Sequence, residues 1–182
     1  MVAGTSALIL DAMSVLTLLR QLALATATAL LVACGGGSGG DGSMALAGRV
    51  SAVTDGDTLT LLATDASRQT IRLMGIDAPE KDQPFGTESR ANLVSIALNR
   101  EALVEFHKRD VYGRLVGKVW IDGVDINLEQ VRAGLAWHYK EYQSEQSPAD
   151  RVLYAVEEVR ARAAALGLWS APAPIPPWDW RK

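Results

Sequence analysis

Apolar and polar positions change rhythm along this chain. Residues 21–33 are almost continuously apolar, preceded by Arg20 and followed by Cys34 and a run of glycines. From Gly48 onward the apolar stretches become short and are broken by turn residues, as in strands. Residues 48–53 alternate loosely, and residues 58–62 follow the Asp55-Gly56 turn signal. Residues 69–76 form a third strand candidate, closed by Asp77-Ala78-Pro79. The spacing predicts a helix over residues 87–98, with Thr87 as the N-cap and Ala91, Val94 and Leu98 on one face. Residues 102–106 and 115–121 make two more strands, separated by the polar loop at 108–114.

The second half turns helical. Asp125 is placed to cap a short helix ending at Gly134, with Leu128 and Val131 facing inward. Ser147-Pro148-Ala149-Asp150 supplies a cap, a first-turn proline and a first-turn acid. Val152, Val156, Val159, Ala163 and Leu166 then space out an apolar face, stopped by Gly167. The proline-rich residues 172–178 cannot continue as helix and are expected to run extended over the surface. Five strands, one helix after the third and two helices at the end predict an α+β fold, mainly β. The expected architecture is a five-stranded OB-fold barrel with three packed helices. It occupies residues 44–170, and residues 171–182 form a Pro/Trp-rich tail.

The apolar run at the start is too short for a comfortable membrane span, which needs about 20 residues. A basic residue, a short apolar run and small residues before a cut site predict a signal peptide over residues 1–33. Met13 would make a tidier start than Met1. Leu31-Val32-Ala33-Cys34 resembles a bacterial lipobox, in which the cysteine carries lipid. Cys34 is the chain's single cysteine, so no intramolecular disulfide can form. Residues 34–43 then read as a glycine-rich tether. The expectation is an extracytoplasmic protein, lipid-anchored at the periplasmic face or cell surface, and secreted if Cys34 is unmodified. The net charge is −3, and removing Asp11 and Arg20 with the signal leaves it unchanged. Such a chain is a poor non-specific nucleic-acid binder, so any nucleic-acid role needs a local basic site.

The candidate chemistry clusters between Asp55 and Arg114. Asp57 and Asp77 sit at strand ends, and with the Ala78 carbonyl and waters they could hold a calcium ion. Each is also an ordinary turn former. Glu80 could orient or deprotonate a water, or be a solvated loop acid. Arg72, in an apolar strand, and Arg114, after Tyr112-Gly113, could grip a phosphoryl group. The alternatives are an ion pair between Arg72 and Asp57 or Asp77, and an exposed turn charge for Arg114. Tyr112, Trp137, Tyr139 and Tyr142 could stack on bases, whereas Trp169, Trp178 and Trp180 read as packing anchors. His107 and His138 do not suggest a metal pair.

The order of these motifs carries more than any one of them. The series Asp55-Gly56-Asp57-Thr58-Leu59, Ile71-Arg72-Leu73-Met74-Gly75-Ile76-Asp77-Ala78-Pro79-Glu80, Gln83-Pro84-Phe85-Gly86 and Asp110-Val111-Tyr112-Gly113-Arg114 resembles the staphylococcal (thermonuclease-like) nuclease family. Asn127, Val131-Arg132-Ala133-Gly134-Leu135-Ala136, Glu158, Ala161-Arg162 and Gly167-Leu168-Trp169 extend the likeness across residues 48–169. The resemblance implies an OB barrel with three helices and a calcium-dependent endonuclease. Such an enzyme hydrolyses DNA and RNA, single-stranded or melted, and leaves 3′-phosphate ends. By motif, Asp57, Asp77 and the Ala78 carbonyl would bind Ca²⁺, Arg72 and Arg114 would hold the scissile phosphate, and Glu80 would act on water. Tyr112 and Tyr139 would contact the nucleotide. Two features depart from the pattern: Val111 stands where a basic residue is common, and the tyrosines after Gly134 are offset. The rival readings are a non-catalytic OB-fold module binding nucleic acid or protein, and a phosphodiesterase for small or lipid phosphates. No protein partner is evident, and a monomer is expected.

Overall fold

A computed structural model describes residues 43–182. The predicted signal peptide, Cys34 and nearly all of the tether lie outside the described residues. Among the described residues no helix is long and apolar enough to cross a membrane.

The strands expected from alternation form, and they close on themselves. β1 (Met44–Val53), β2 (Thr58–Ala63), β3 (Arg68–Leu73), β5 (Glu101–Arg109) and β6 (Leu115–Ile121) follow the order β3-β2-β1-β5-β6. A parallel β3–β6 pairing, with Ile71 opposite Leu115, completes a five-stranded barrel. Inward positions of every strand fill it: Val50, Leu59, Leu61, Ile71, Leu73, Val104, Leu115 and Val119 are all buried. A two-residue strand β7 (Val124–Asp125) extends the β6 edge.

The third strand ends earlier than the apolar run suggests. It stops at Leu73, and the backbone turns through Met74 and Gly75, where the Met74 N–H donates to the Gly117 carbonyl. A separate short strand, β4 (Ile76–Asp77), then pairs with β8 (Trp137–His138). Residues 69–76 therefore serve two sheets rather than one.

Helix α1 (Gly86–Ala97) starts one residue before the expected cap. Phe85, in a left-handed conformation, precedes it without a side-chain cap, so Thr87 is not the N-cap. The Gly86 N–H donates to the Gln83 carbonyl, and a β-carbon on Gly86 would collide with the Glu80 carbonyl. That close approach sets the helix start. The buried face is Ser89, Leu93 and Ala97; Ala91 is exposed, and Val94 and Leu98 are half-buried.

Helix α2 (Ile126–Arg132) follows the sequence expectation, with the Asp125 carboxylate accepting from the Leu128 N–H. Helix α3 (Pro148–Ala163) likewise has Ser147 capping through the Asp150 N–H. Its orientation is the opposite of the expected one. Val152 and Val159 are 65 % and 63 % exposed, Val156 and Leu166 are also exposed, and Tyr154, Glu157, Glu158 and Ala161 are buried. Polar groups win this face because each has a partner. The Tyr154 hydroxyl donates to Asp125, the Glu158 carboxylate accepts from the His138 N–H, and Glu157 pairs with Arg160 and Arg132. Gly134 and Gly167 lie where two backbones approach closely: a β-carbon on Gly134 would collide with the Leu166 carbonyl and one on Gly167 with the Gly134 carbonyl, which accepts from the Leu168 N–H.

The last segment does not run extended over the surface. A 3-10 turn at Gly167–Ser170 and a short helix α4 (Pro177–Trp180) fold it back, with Pro177 buried. Trp137 meets Trp169 and Trp178 edge-on, at 5.3 and 6.3 Å between ring centroids, so Trp169 and Trp178 anchor the packing as expected. Trp137, weighed as a base-stacking ring, is instead buried among them, and Trp180 is exposed.

One buried side chain joins the barrel to the helices. Asn127 is fully buried: its amide donates to the Met74 and Gly117 carbonyls at 3.0 Å each, and its oxygen accepts from the Val119 N–H at 3.1 Å. Asn127→Ala leaves the Met74 carbonyl and the Val119 N–H without this partner, while the Gly117 carbonyl keeps the Met74 N–H, and is expected to cost about 3 kcal/mol. The check is the urea unfolding midpoint, which should fall with the m-value unchanged.

Candidate active site

The site begins at the β1–β2 turn. The Asp57 N–H donates to the Asp55 carboxylate at 3.1 Å, a local loop that aims the Asp57 side chain across the barrel end. Its Oδ2 accepts from the Ala78 N–H at 2.7 Å, and its Oδ1 from the Thr58 hydroxyl at 3.1 Å. The loop is propped from below by Gln130, fully buried on α2, whose amide donates to the Gly56 carbonyl at 2.6 Å. Asp77 arrives on β4, held by its register opposite Trp137.

Between the two carboxylates lies the Arg72 guanidinium. Nη1 stands 3.1 Å from Asp57 Oδ2 and Nη2 stands 2.8 Å from Asp77 Oδ1. Nη1 also donates to the Leu73 and Ile76 carbonyls, at 3.1 and 2.9 Å. The ion pair weighed as an alternative for Arg72 therefore exists, with both partners at once, and Arg72 still lines the cleft. Burial pushes the Asp57 carboxyl up to about 7, opposed by Arg72 and reinforced by Asp55 and Asp77. Burial also raises Asp77, against the pull of Arg181 and Arg72.

Glu80 lies beyond Pro79, its N–H donating to Gln83 Oε1 at 3.0 Å, with the side chain 37 % exposed. Arg114 leaves the β5–β6 loop with Nε 2.7 Å from Asp110 Oδ2, and its guanidinium lies 5.4 Å from the Tyr112 ring centroid. Burial favours the neutral form of Asp110, but hydrogen bonds from Arg114 and the Tyr112 N–H outweigh it and hold the carboxyl below its usual range. Tyr112 is 81 % exposed. Tyr139 stacks on Trp178, at 5.2 Å and 10° between planes. Its phenol is raised to about 12 by burial and by Glu141, so it remains a neutral donor.

A single cleft of about 710 Å³ brings these residues together: Asp57, Arg72, Asp77, Ala78, Glu80, Tyr112, Arg114 and Tyr139 all line it. Trp137 instead lines a neighbouring hollow, and Tyr142 joins the cleft wall. Cys34 lies outside the described residues. The sequence reading missed Lys108, Arg109, Glu145 and Arg181 on the same wall. The basic loop 108–114 hinted at the first two. Nothing local marked Arg181, which reaches Asp77 across 104 residues of sequence.

The donor set fits a hard cation. Among the described residues no three His, Cys, Asp or Glu side chains converge as a metal cluster. Asp57 and Asp77 offer two carboxylates, and residue 78 is held against Asp57 by its own N–H. All available ligands are oxygens, and Asp77 and Glu80 already attract a guanidinium, that of Arg181. Facing them, Arg72 and Arg114 offer forked donors suited to a phosphate.

Comparison with known proteins agrees with this geometry. The family described as "Staphylococcal nuclease homologue" matches residues 70–171, a span that holds Arg72, Asp77, Ala78, Glu80 and Arg114. An "Uncharacterized endonuclease" of Escherichia coli O157:H7 is 41 % identical over 135 residues, covering 74 % of this chain and 84 % of that protein. A "Micrococcal nuclease" of Shigella flexneri is 38 % identical over 146 residues, 74 % of this chain and 80 % of its own. An "Uncharacterized endonuclease" of Haemophilus influenzae is 36 % identical over 134 residues, 74 % of this chain and 72 % of its own. With its barrel, its ordered motifs and a match over more than half its length, the chain belongs to the staphylococcal nuclease family.

Proposed function

We propose that this protein is a calcium-dependent endonuclease that hydrolyses DNA and RNA, single-stranded or locally melted, to leave 3′-phosphate ends. The observation that carries the reading is the convergence of Asp57, Asp77, Glu80, Arg72 and Arg114 on one cleft. Asp57, Asp77 and the Ala78 carbonyl would hold the ion. When bound, calcium would act as a Lewis acid, polarising a phosphate oxygen.

The chain's own residues supply the rest. Arg114, and Arg72 from within its carboxylate clamp, face the non-bridging phosphate oxygens, whose charge grows as water adds to phosphorus. Glu80, on a proline-stiffened loop, orients that water and accepts its proton. The bond to the 5′ oxygen breaks, the departing oxygen takes up a proton, and the phosphate stays on the 3′ side. Tyr112 and Tyr139 give the flanking bases flat faces to stack on. The predicted signal and lipidation of Cys34 would anchor a monomeric enzyme outside the cytoplasm. Weak calcium sites, with dissociation constants of about 10⁻⁴ to 10⁻³ M, are typical of extracellular modules.

Glu80 is partly exposed, so Glu80→Gln should fold normally while kcat falls about 10²- to 10⁴-fold. Cleavage of a single-stranded oligonucleotide with calcium, against a chelator control, measures this. Unaltered turnover in the variant would refute the role of Glu80. Oligonucleotide binding without any turnover in the unsubstituted protein would favour a binding module.

A pH dependence follows from Asp57. Its folded value, about 7, lies above its ordinary 3.8. In cation-free protein its contribution to stability is therefore full below about pH 4 and lost as the pH rises through 7. A cation requires the ionised form, so affinity should weaken by about tenfold per unit as the pH drops below 7, with close to one proton released per ion bound. Calorimetric titration at pH 6 and pH 8, in buffers of different ionisation enthalpy, reads both quantities.

A further inference from the structure

The mechanism assigns nothing to the segment after Ser170, yet that segment ends in the cleft. Arg181 Nη2 lies 2.8 Å from Asp77 Oδ2, and Nη1 lies 2.6 Å from Glu80 Oε1 and 3.4 Å from Asp77 Oδ1. Its guanidinium thus spans the carboxylate assigned to the ion and the one assigned to the water.

The approach is built rather than incidental. The chain is tied down first at Ile175, whose carbonyl accepts from the Gln83 amide. Gln83 also holds the Glu80 N–H, so one side chain fixes the segment and the Glu80 loop together. Pro177 is buried, and Trp178 stacks on Tyr139 while meeting Trp137 edge-on. The Arg181 N–H then donates to the Pro177 carbonyl at the end of the α4 turn, which delivers the guanidinium to its partners.

Charge makes this placement consequential. Asp57, Asp77 and Glu80 face two guanidiniums, those of Arg72 and Arg181. Arg72 is deeply held, its side chain only 15 % exposed, whereas that of Arg181 is 43 % exposed and sits on a short, separate turn. An arriving divalent ion would meet Arg181 on Asp77, and two cations sharing one carboxylate repel each other.

We propose that residues 171–182 form an intramolecular latch. Arg181 occupies the cation-facing oxygens of Asp77 and Glu80 and must withdraw before a divalent ion and the attacking water are held. The latch therefore raises the ion concentration at which the site fills. The inference takes the working roles of Asp77 and Glu80 from the nuclease reading, but its test does not depend on cleavage.

The probe is terbium, an oxygen-seeking ion whose luminescence is sensitised by nearby aromatic rings, titrated into the full chain and competed with calcium. Arg181→Ala should lower the terbium and calcium dissociation constants about tenfold, the order expected when partly exposed ion pairs are released. Trp178→Ala, which undocks the turn and keeps the charge, should shift them the same way. Lys182→Ala removes a neighbouring positive charge that pairs with Asp179 and should leave them unchanged. If the protein cleaves nucleic acid, the half-maximal calcium for Arg181→Ala should fall in parallel, with saturated turnover retained. Unchanged ion affinity in Arg181→Ala overturns the latch. So does unchanged affinity with a fall in saturated turnover, which would make Arg181 a substrate-gripping residue. An absence of cleavage with tightened terbium binding would overturn the nuclease reading and leave the latch standing.

Discussion

The structure depends on a repulsion that is held in check. Asp57 and Asp77 are brought to the same arginine in a place almost closed to water, where like charges are costly. Arg72 compensates from between them, and the Ala78 N–H takes part of the Asp57 charge. That solution pins the β2–β3 register. Thr58 pairs with Arg72, which puts Asp57 just beyond the pair, and the Leu73 N–H donates to the Asp57 carbonyl. A slip of one residue would turn Arg72 into the barrel and Leu73 out of it. The core pattern and the charged clamp therefore select the same register.

The helices act mainly as props for this end of the barrel. α2 sends Asn127 to the turn after β3 and Gln130 to the turn before Asp57, so one seven-residue helix supports both carboxylate-bearing loops. α3 supports β8 through Glu158, and β8 in turn holds Asp77. These supports are polar and directional. An apolar interface of equal area would tolerate sliding, whereas a buried amide tied to two carbonyls and an N–H fixes the loops in register and orientation.

This division explains what could be read from the chain and what could not. Strands follow from period-2 burial, and the Asp125 and Ser147 caps follow from a contact spanning three residues, so both are visible locally. The clamp residues were visible as a series of motifs, although their convergence depends on barrel closure. The α3 face was misread because valine spacing is a weaker constraint than paired buried polar groups. Tyr154, Glu157 and Glu158 turn inward only because Asp125, Arg132 and His138 wait there, and those partners lie on other elements. Arg181 is the extreme case: a surface charge in sequence terms, placed by a stack of rings that assembles only in the folded chain.

An acidic protein that handles a polyanion needs its positive charge concentrated, and here that charge is also restrained. Arg114 is paired with Asp110, and Lys108 with Glu145, along the cleft wall. Under the nuclease reading, a phosphate gains Arg114 only by competing with a carboxylate already in place. That competition limits affinity for phosphates in general and makes binding sensitive to salt. Under the same reading the carboxylates add a second condition, because phosphate near the buried Asp57 and Asp77 and the partly exposed Glu80 would be repelled until a cation lay between them. Substrate and ion should therefore bind cooperatively, each relieving a charge that opposes the other. On the calcium-dependent reading the enzyme would grip its substrate weakly without the ion, and its overall negative charge would then be no obstacle to acting on nucleic acid.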